Sequence, residues 1–577
     1  MAAKLLIIGL DGATFDILDP LCAAGQIPNL AYLLSQGVRA ELHSTTPPAT
    51  LPAWSSFLCG NDPSQHGVSD IFVHTGGSYE LTPANARLRR TPTFLARASE
   101  AGLRVAALGV PGTYPPEPIN GICVSGFDAP GAHKAGRDAI WPPSFAPELD
   151  RLGGWRYAVF NEHDVREGRA QQASEALLAD IGAKERVICS VYDREAWDVF
   201  FVHLQASDTV GHHFWHAHDA RSPRHAAAPP GVNDVVAQVY ARLDTTVGNL
   251  LARGHDDTQV LIVSDHGMGG ASDIAVYLNR WLECEGLLRF ARAATRRPTH
   301  AAGRGLHRIL GRLPPAAIGW GVSLTPVSIA KPLIRLLRGA SSVDHGRSLA
   351  FSDELDYAPA IWLNRRSAFA QGSLSDAQAD QLASQIAHRL EDLRTPWGER
   401  LIRAVHRRET LYAGPHNNRL PDLLMEPEWP NGYRPSFLPS PGPGPVVRQL
   451  QFSELNAPKG AGVPGVHRPE GVFLLHGPGI APRRLPPLPI AAAGRLVYEL
   501  LGVDVPEDVT AAIPSALAEQ LPFATQHRAQ AGASAADTTS AATSLPPDET
   551  RDPAETLYTE QERLQVTERL RALGYLE

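Results

Sequence analysis

QVLIVSDHGMGG, Gln259–Gly270, is an apolar run that stops on an aspartate, a histidine and a group of glycines. An apolar run without alternation reads as a strand buried on both faces, the mark of a parallel sheet covered by helices on either side. Asp265 and His266 then stand at the carboxyl end of that strand, where ligands gather in open α/β sheets, and the glycines beyond leave room for one.

The pattern recurs along the chain. Lys4–Leu10 runs straight into Asp11 and Gly12, Val199–Leu204 is followed shortly by Asp208, Leu103–Gly109 is another buried run, and Asn233–Leu251 has helical spacing. The fold class is therefore α/β, with a mostly parallel central sheet sandwiched by helices. Across 577 residues, 43% hydrophobic content allows one large core or two ordinary domains. The 61 acidic and 53 basic residues leave a net charge of -8, which gives no general basic field for nucleic acid. The opening MAAKLLIIGL is too short for a secretory leader, no run is long enough to span a membrane, and the five cysteines are scattered and odd in number. A cytoplasmic location is expected.

Each chemical motif has an ordinary reading beside the functional one. An aspartate after a strand, as in GLDG with Asp11, is commonly a turn or cap residue. In HSTTPPATLPAWSSFLCGNDPSQHG, His43–Gly67, Thr50 precedes a helix expected to start near Leu51 or Pro52. There a hydroxyl is ordinarily an N-cap, yet the same place offers free backbone N–H groups and the positive end of the helix dipole. In FFVHLQASDTVGHHFW, Asp208 and His212 lie four apart and share one face if a helix begins there, a spacing suited to a metal. His213, His216 and His218 are read as supporting or surface residues. In PGVHRPEGVFLLHGPGI, His467 falls in a Gly-Pro-rich loop ahead of the strand Gly471–Leu475. Together these are three aspartates and three histidines at strand ends plus one hydroxyl placed like a nucleophile, a donor set for two ions with positions left for substrate.

The motifs GLDGATFD, PPATLPAW, CGNDPSQHG, SDTVGHHFW, SDHGM and GVHRPEGV occur in this order over most of Lys4–Pro506. In that order the chain resembles the type I phosphodiesterase and nucleotide pyrophosphatase branch of the alkaline phosphatase superfamily. The resemblance implies an alkaline-phosphatase-like fold with inserted cap segments and two divalent metal ions, zinc foremost and manganese or magnesium as alternatives. Asp11, Asp265 and His266 would hold one ion beside Thr50, and Asp208, His212 and His467 the other. Thr50 would attack a phosphate ester and pass through a phosphothreonine intermediate on phosphodiester or pyrophosphate bonds of a small-molecule substrate.

Two departures qualify this. The asparagine that grips a phosphate oxygen in nucleotide enzymes is not found between Thr50 and Gly60, and Ala53 stands three residues on. The Leu51 N–H is a candidate substrate contact, and the Trp54 ring is either a second such contact or part of the core. The C-x-P-x-R sulfatase signature is missing, which disfavours sulfate esters. Phosphomonoesterase or phosphotransferase chemistry is the nearest alternative, and a non-catalytic metal-stabilised binding protein the more distant one.

The remaining organisation follows from composition. Residues 1–288 form the first part of the catalytic core, and 343–521 the rest, with a subdomain from Val343 to about Pro427 expected in the same sheet. Between them, 289–342 carries ten Lys or Arg and no Asp or Glu up to Ala340, a basic helical insertion that reads as a solvated helical hairpin or, functionally, as a lid or a membrane-surface contact through 289–340. Residues 522–555 read as a disordered linker. In 556–577, Thr559 with Glu562 resembles a capping box, and Val566, Leu570 and Leu573 share a helix face that should dock on the core.

Overall fold

The computed structural model describes residues 4–131, 134–157, 160, 165, 168–291, 343–455, 462–519, 557–573 and 575. The basic stretch 292–342 and the expected linker 522–555 lie outside the described residues.

The centre is a ten-stranded sheet. Its parallel heart runs Gln259–Val263, Leu5–Leu10, Val199–Leu204, Val105–Val110, Gly121–Ser125; on one side the antiparallel strand Glu470–His476 follows and beyond it Val38–His43 runs parallel to the heart again, and on the other side lies the antiparallel Ile140–Trp141. Every residue of Leu5–Leu10 is buried. Leu6, Ile8 and Leu10 pack into one hydrophobic layer and Leu5 and Ile7 into the other, so successive residues feed opposite cores. Helices Ala206–His218 and Val235–Leu251 help to fill the first layer, and Thr50–Cys59 and Ile490–Leu501 the second.

The strand after Asp265 and His266 leaves this sheet. Gly267–Val276 pairs with Arg434–Phe437, Val447–Gln449 and Gly465–Arg468. Two expectations are corrected here. His467 is on a short strand opposite Met268 rather than in a loop. The glycines of the SDHGMGG motif serve packing rather than ligand entry: a Cβ at Gly269 would strike Arg468 and Trp429, and one at Gly270 would strike Tyr433 and Trp215.

The region from Val343 to Pro427 is also not part of the central sheet. Ala350–Phe351, Ala360–Leu363, Leu423–Pro427 and Ile402–Arg407 form their own antiparallel sheet. Helix Asp376–Glu391, started by a Ser375/Gln378 capping box, closes a separate core over it. Among the described residues no helix is long and apolar enough to cross a membrane.

Candidate metal and phosphoryl-transfer site

Asp11 is the first residue after the central strand, and the turn is completed by Gly12 at φ +62. A Cβ on Gly12 would come within 3.1 Å of the Asp208 side chain, so the missing methyl group lets the two carboxylates converge. Asp208 and His212 project together from helix Ala206–His218. Asp265 and His266 follow the next strand over, and His467 reaches in from its strand opposite Met268.

Thr50 is the first residue of helix Thr50–Cys59, one earlier than expected, and the N-cap is Ala49 in extended conformation. Its hydroxyl therefore performs no capping. It points to His266 Nε2 at 3.4 Å, at a helix start whose first N–H groups, Leu51 among them, have no intrahelical acceptor. Asp11, Thr50, Asp208, Asp265 and His266 are all 0% exposed.

The histidines are oriented alike. His212 Nδ1 lies 2.8 Å from the Gly465 carbonyl, His467 Nδ1 2.7 Å from that of Pro48, and His266 Nδ1 3.0 Å from that of Gly267. A carbonyl only accepts, so each Nδ1 carries the proton and each Nε2 presents a lone pair inward. Yet His212 Nε2 is 2.9 Å from His467 Nε2 and 3.1 Å from Asp208 Oδ1. Lone pairs at that separation repel unless positive charge lies between them, either a metal ion or a proton on His212, whose neighbour Asp208 favours the charged ring.

The carboxylates show the same deficit. Asp11 Oδ1, both oxygens of Asp208 and Asp265 Oδ2 are buried and accept no hydrogen bond. Burial, with the Asp11 and Asp208 charges beside it, pushes Asp265 well above the usual carboxylate range. Burial also opposes ionisation of Asp208, but the His212 and His467 rings hold it well below its ordinary value. His266 is pushed down to about 3 by burial and by His467, which keeps it a neutral imidazole. Ligand atoms of Asp11, Asp265 and His266 lie within 4.8 Å of one another, as do those of Asp208, His266 and His467. His266 thus touches both groups, where the sequence placed it with one. The nitrogen and carboxylate donors fit divalent metal, and the orphaned oxygens and facing lone pairs are what such ions would satisfy.

Behind the donors, Asp11 Oδ2 receives the Trp54 indole N–H at 3.2 Å and lies 2.6 Å from His203 Nε2. Of the two readings of Trp54 the structure has the core one: its ring packs on Phe57, Phe201 and His203 and orients Asp11 instead of lining a substrate pocket. Leu51, in the first turn of the same helix, is buried in the opposite hydrophobic layer. His213 packs against Phe160, and His213 and His216 are buried outside the donor set.

Sequence reasoning missed two residues. His203 is the lone polar side chain in the strand Val199–Leu204, a signal that could have been read. Tyr575, at the far end of the chain, puts its hydroxyl 2.9 Å from Thr50 Oγ1, and no local pattern announces this.

Beside His467 opens a cleft of about 350 Å³, bounded by Phe15, Tyr357, Arg403, Trp429 and Arg468. Arg468 lies 4.3 Å over the Trp429 ring and pairs with Asp16 at 3.2 Å.

The sequence matches the family profile described as type I phosphodiesterase / nucleotide pyrophosphatase over residues 5–433. Solved structures similar to this chain include murine ectonucleotide pyrophosphatase / phosphodiesterase 5, at 13% identity over 88% of this chain and 96% of that one, with TM-score 0.44. The human protein of the same name is 13% identical over 88% and 96%, with TM-score 0.45. Phosphonoacetate hydrolase from Sinorhizobium meliloti 1021, in complex with phosphonoformate, is 15% identical over 87% and 96%, with TM-score 0.49.

Proposed function

The chain belongs to the type I phosphodiesterase / nucleotide pyrophosphatase family and is an enzyme of phosphoric ester hydrolysis; on that premise we propose that it cleaves phosphodiester or pyrophosphate bonds of a small-molecule substrate through nucleophilic attack by Thr50. The observation that supports this most is the convergence of inward Nε2 lone pairs and unpartnered carboxylate oxygens around a threonine hydroxyl released from capping.

Asp11, Asp265 and His266 would hold one divalent ion next to Thr50, and Asp208, His212 and His467 a second, zinc being the best fit and manganese or magnesium acceptable. When bound, such ions lower the pKa of a coordinated hydroxyl and stabilise charge on the attacking and departing oxygens. Thr50 gives up its hydroxyl proton to solvent as Oγ forms the bond to phosphorus, the bond to the leaving oxygen breaks, and the departing alcohol or phosphate takes up a proton from solvent. The phosphorylated Thr50, which keeps the second ester substituent when the substrate is a diester, is then hydrolysed by water. The backbone N–H of Leu51 is placed to meet a phosphoryl oxygen. The cleft by His467 offers space and an Arg-aromatic wall for a second substituent, which favours diesters.

Turnover of bis(p-nitrophenyl) phosphate and p-nitrophenyl phosphate, each with zinc, manganese or magnesium, tests the reading. Faster turnover of the diester is expected. Preference for the monoester would assign the enzyme to phosphomonoesterase chemistry, and no turnover of either would contradict the hydrolase mechanism.

A further inference from the structure

The tail helix Glu560–Ala572 is fastened to the catalytic core. Thr559 and Glu562 form its capping box. Leu557, Val566, Leu570 and Leu573 are buried in the same hydrophobic layer as the helix that carries Asp208 and His212. The Arg569 guanidinium is buried and donates to the carbonyl oxygens of Phe127, at 2.8 Å, and of Ala129 and Gly131. Tyr558 donates to the Asp128 carbonyl at 2.6 Å, and Asn85 donates to the Leu557 carbonyl at 2.7 Å. A detachable segment has no need of so many buried polar contacts.

This anchored helix delivers Tyr575. Its hydroxyl stands 2.9 Å from Thr50 Oγ1, and its ring lies near Phe127, Tyr357, His212 and His467 with centroid separations of 5.7 to 6.2 Å. Once a threonine hydroxyl loses its proton, its oxygen has one covalent bond and three acceptor directions. One would face the ion that Asp11, Asp265 and His266 would hold, and phosphorus is approached along another. The third stays open, and an alkoxide facing it needs a donor.

We propose that Tyr575 is a catalytic residue, donating its phenolic hydrogen bond to Thr50 Oγ as negative charge gathers there, both in the attack on phosphorus and when the Thr50–phosphorus bond breaks. No proton is transferred and no bond to Tyr575 forms. The donor is thus supplied from the opposite end of the chain, by a segment beyond residues 5–433. The inference rests on the nucleophilic role of Thr50.

The test compares wild type, Tyr575→Phe, Thr50→Ala and a chain ending at Leu573, each loaded with zinc, on bis(p-nitrophenyl) phosphate. Tyr575→Phe keeps the ring and its packing, so melting temperature and metal content should match wild type. Its kcat should fall about tenfold to a hundredfold with KM little changed, the scale of a hydrogen bond to a charged group, and the shortened chain should fall at least as far. Unchanged or increased kcat in Tyr575→Phe would overturn the proposal, an increase marking the tail as a plug. A change in KM alone would also overturn it, by making Tyr575 a pocket wall. If Thr50→Ala keeps its activity, the Thr50 mechanism itself fails; if Thr50→Ala is inactive and Tyr575→Phe is fully active, this inference alone fails.

Discussion

The Asp11, Asp265, His266 end of the site and the Asp208, His212, His467 end suit a cation for different reasons. At the first, two buried carboxylates crowd one imidazole, and burial together with the Asp11 charge keeps Asp265 from ionising easily. At the second, one carboxylate faces two imidazoles whose Nδ1 protons are committed to backbone carbonyls, leaving two Nε2 atoms 2.9 Å apart. The first end is limited by charge, the second by tautomer. Neutralising a carboxylate therefore relieves the repulsion at the first end while destroying its metal affinity, whereas replacing a histidine at the second end removes a donor without relieving charge.

The largest effect should come from removing what both ends share a need for. Chelation should lower activity by roughly a thousandfold or more and lower the melting temperature, with zinc restoring both, because ligand binding to the folded state adds directly to stability. Activity that survives exhaustive chelation would remove the basis of the comparison.

The two ends should separate next in the metal-free protein. In the folded chain Asp265 stays protonated in a pH range where the unfolded chain, with its ordinary value of 3.8, has already ionised. Folding then takes up a proton, so this contribution is present below about 3.8 and is lost as pH rises. Urea midpoints of the chelated protein should fall with rising pH, and Asp265→Asn should flatten that slope while abolishing turnover. His212→Gln should leave the slope in place. Equal slopes for both variants would contradict the division.

Smaller effects are expected behind the first end. His203→Phe removes one partner of Asp11 Oδ2 and should weaken metal affinity about tenfold to a hundredfold, the usual range for residues that orient a ligand. Trp54→Phe keeps the aromatic packing and loses the 3.2 Å indole bond, so its effect on affinity should be less than about tenfold. Equilibrium titration with zinc reads both.

The legible parts of the fold and site are those set by local pattern. Asp11, Asp208 and Asp265 each follow an apolar run, and such runs become parallel strands whose carboxyl ends meet. Thr50 was readable as a helix-start hydroxyl, but not that Ala49 would take over the cap and leave it free. The strand that carries His467 is not legible locally, because the pairing of Gly465–Arg468 with Gly267–Gly270 is a long-range match. The four-stranded sheet after Val343 was merged with the central one for the same reason, since strand pattern carries no partner information. The tail helix showed its cap and apolar face in the sequence, yet nothing local says that Tyr575 meets Thr50 across 525 positions.

The central claim is tested most directly by quenching the zinc-loaded enzyme in acid during turnover of a diester and mapping the modified peptide by mass spectrometry. The account predicts a phosphoryl adduct on Thr50, absent from Thr50→Ala and accumulating when the second step is slow. An adduct on another residue, or full turnover by Thr50→Ala, would contradict it.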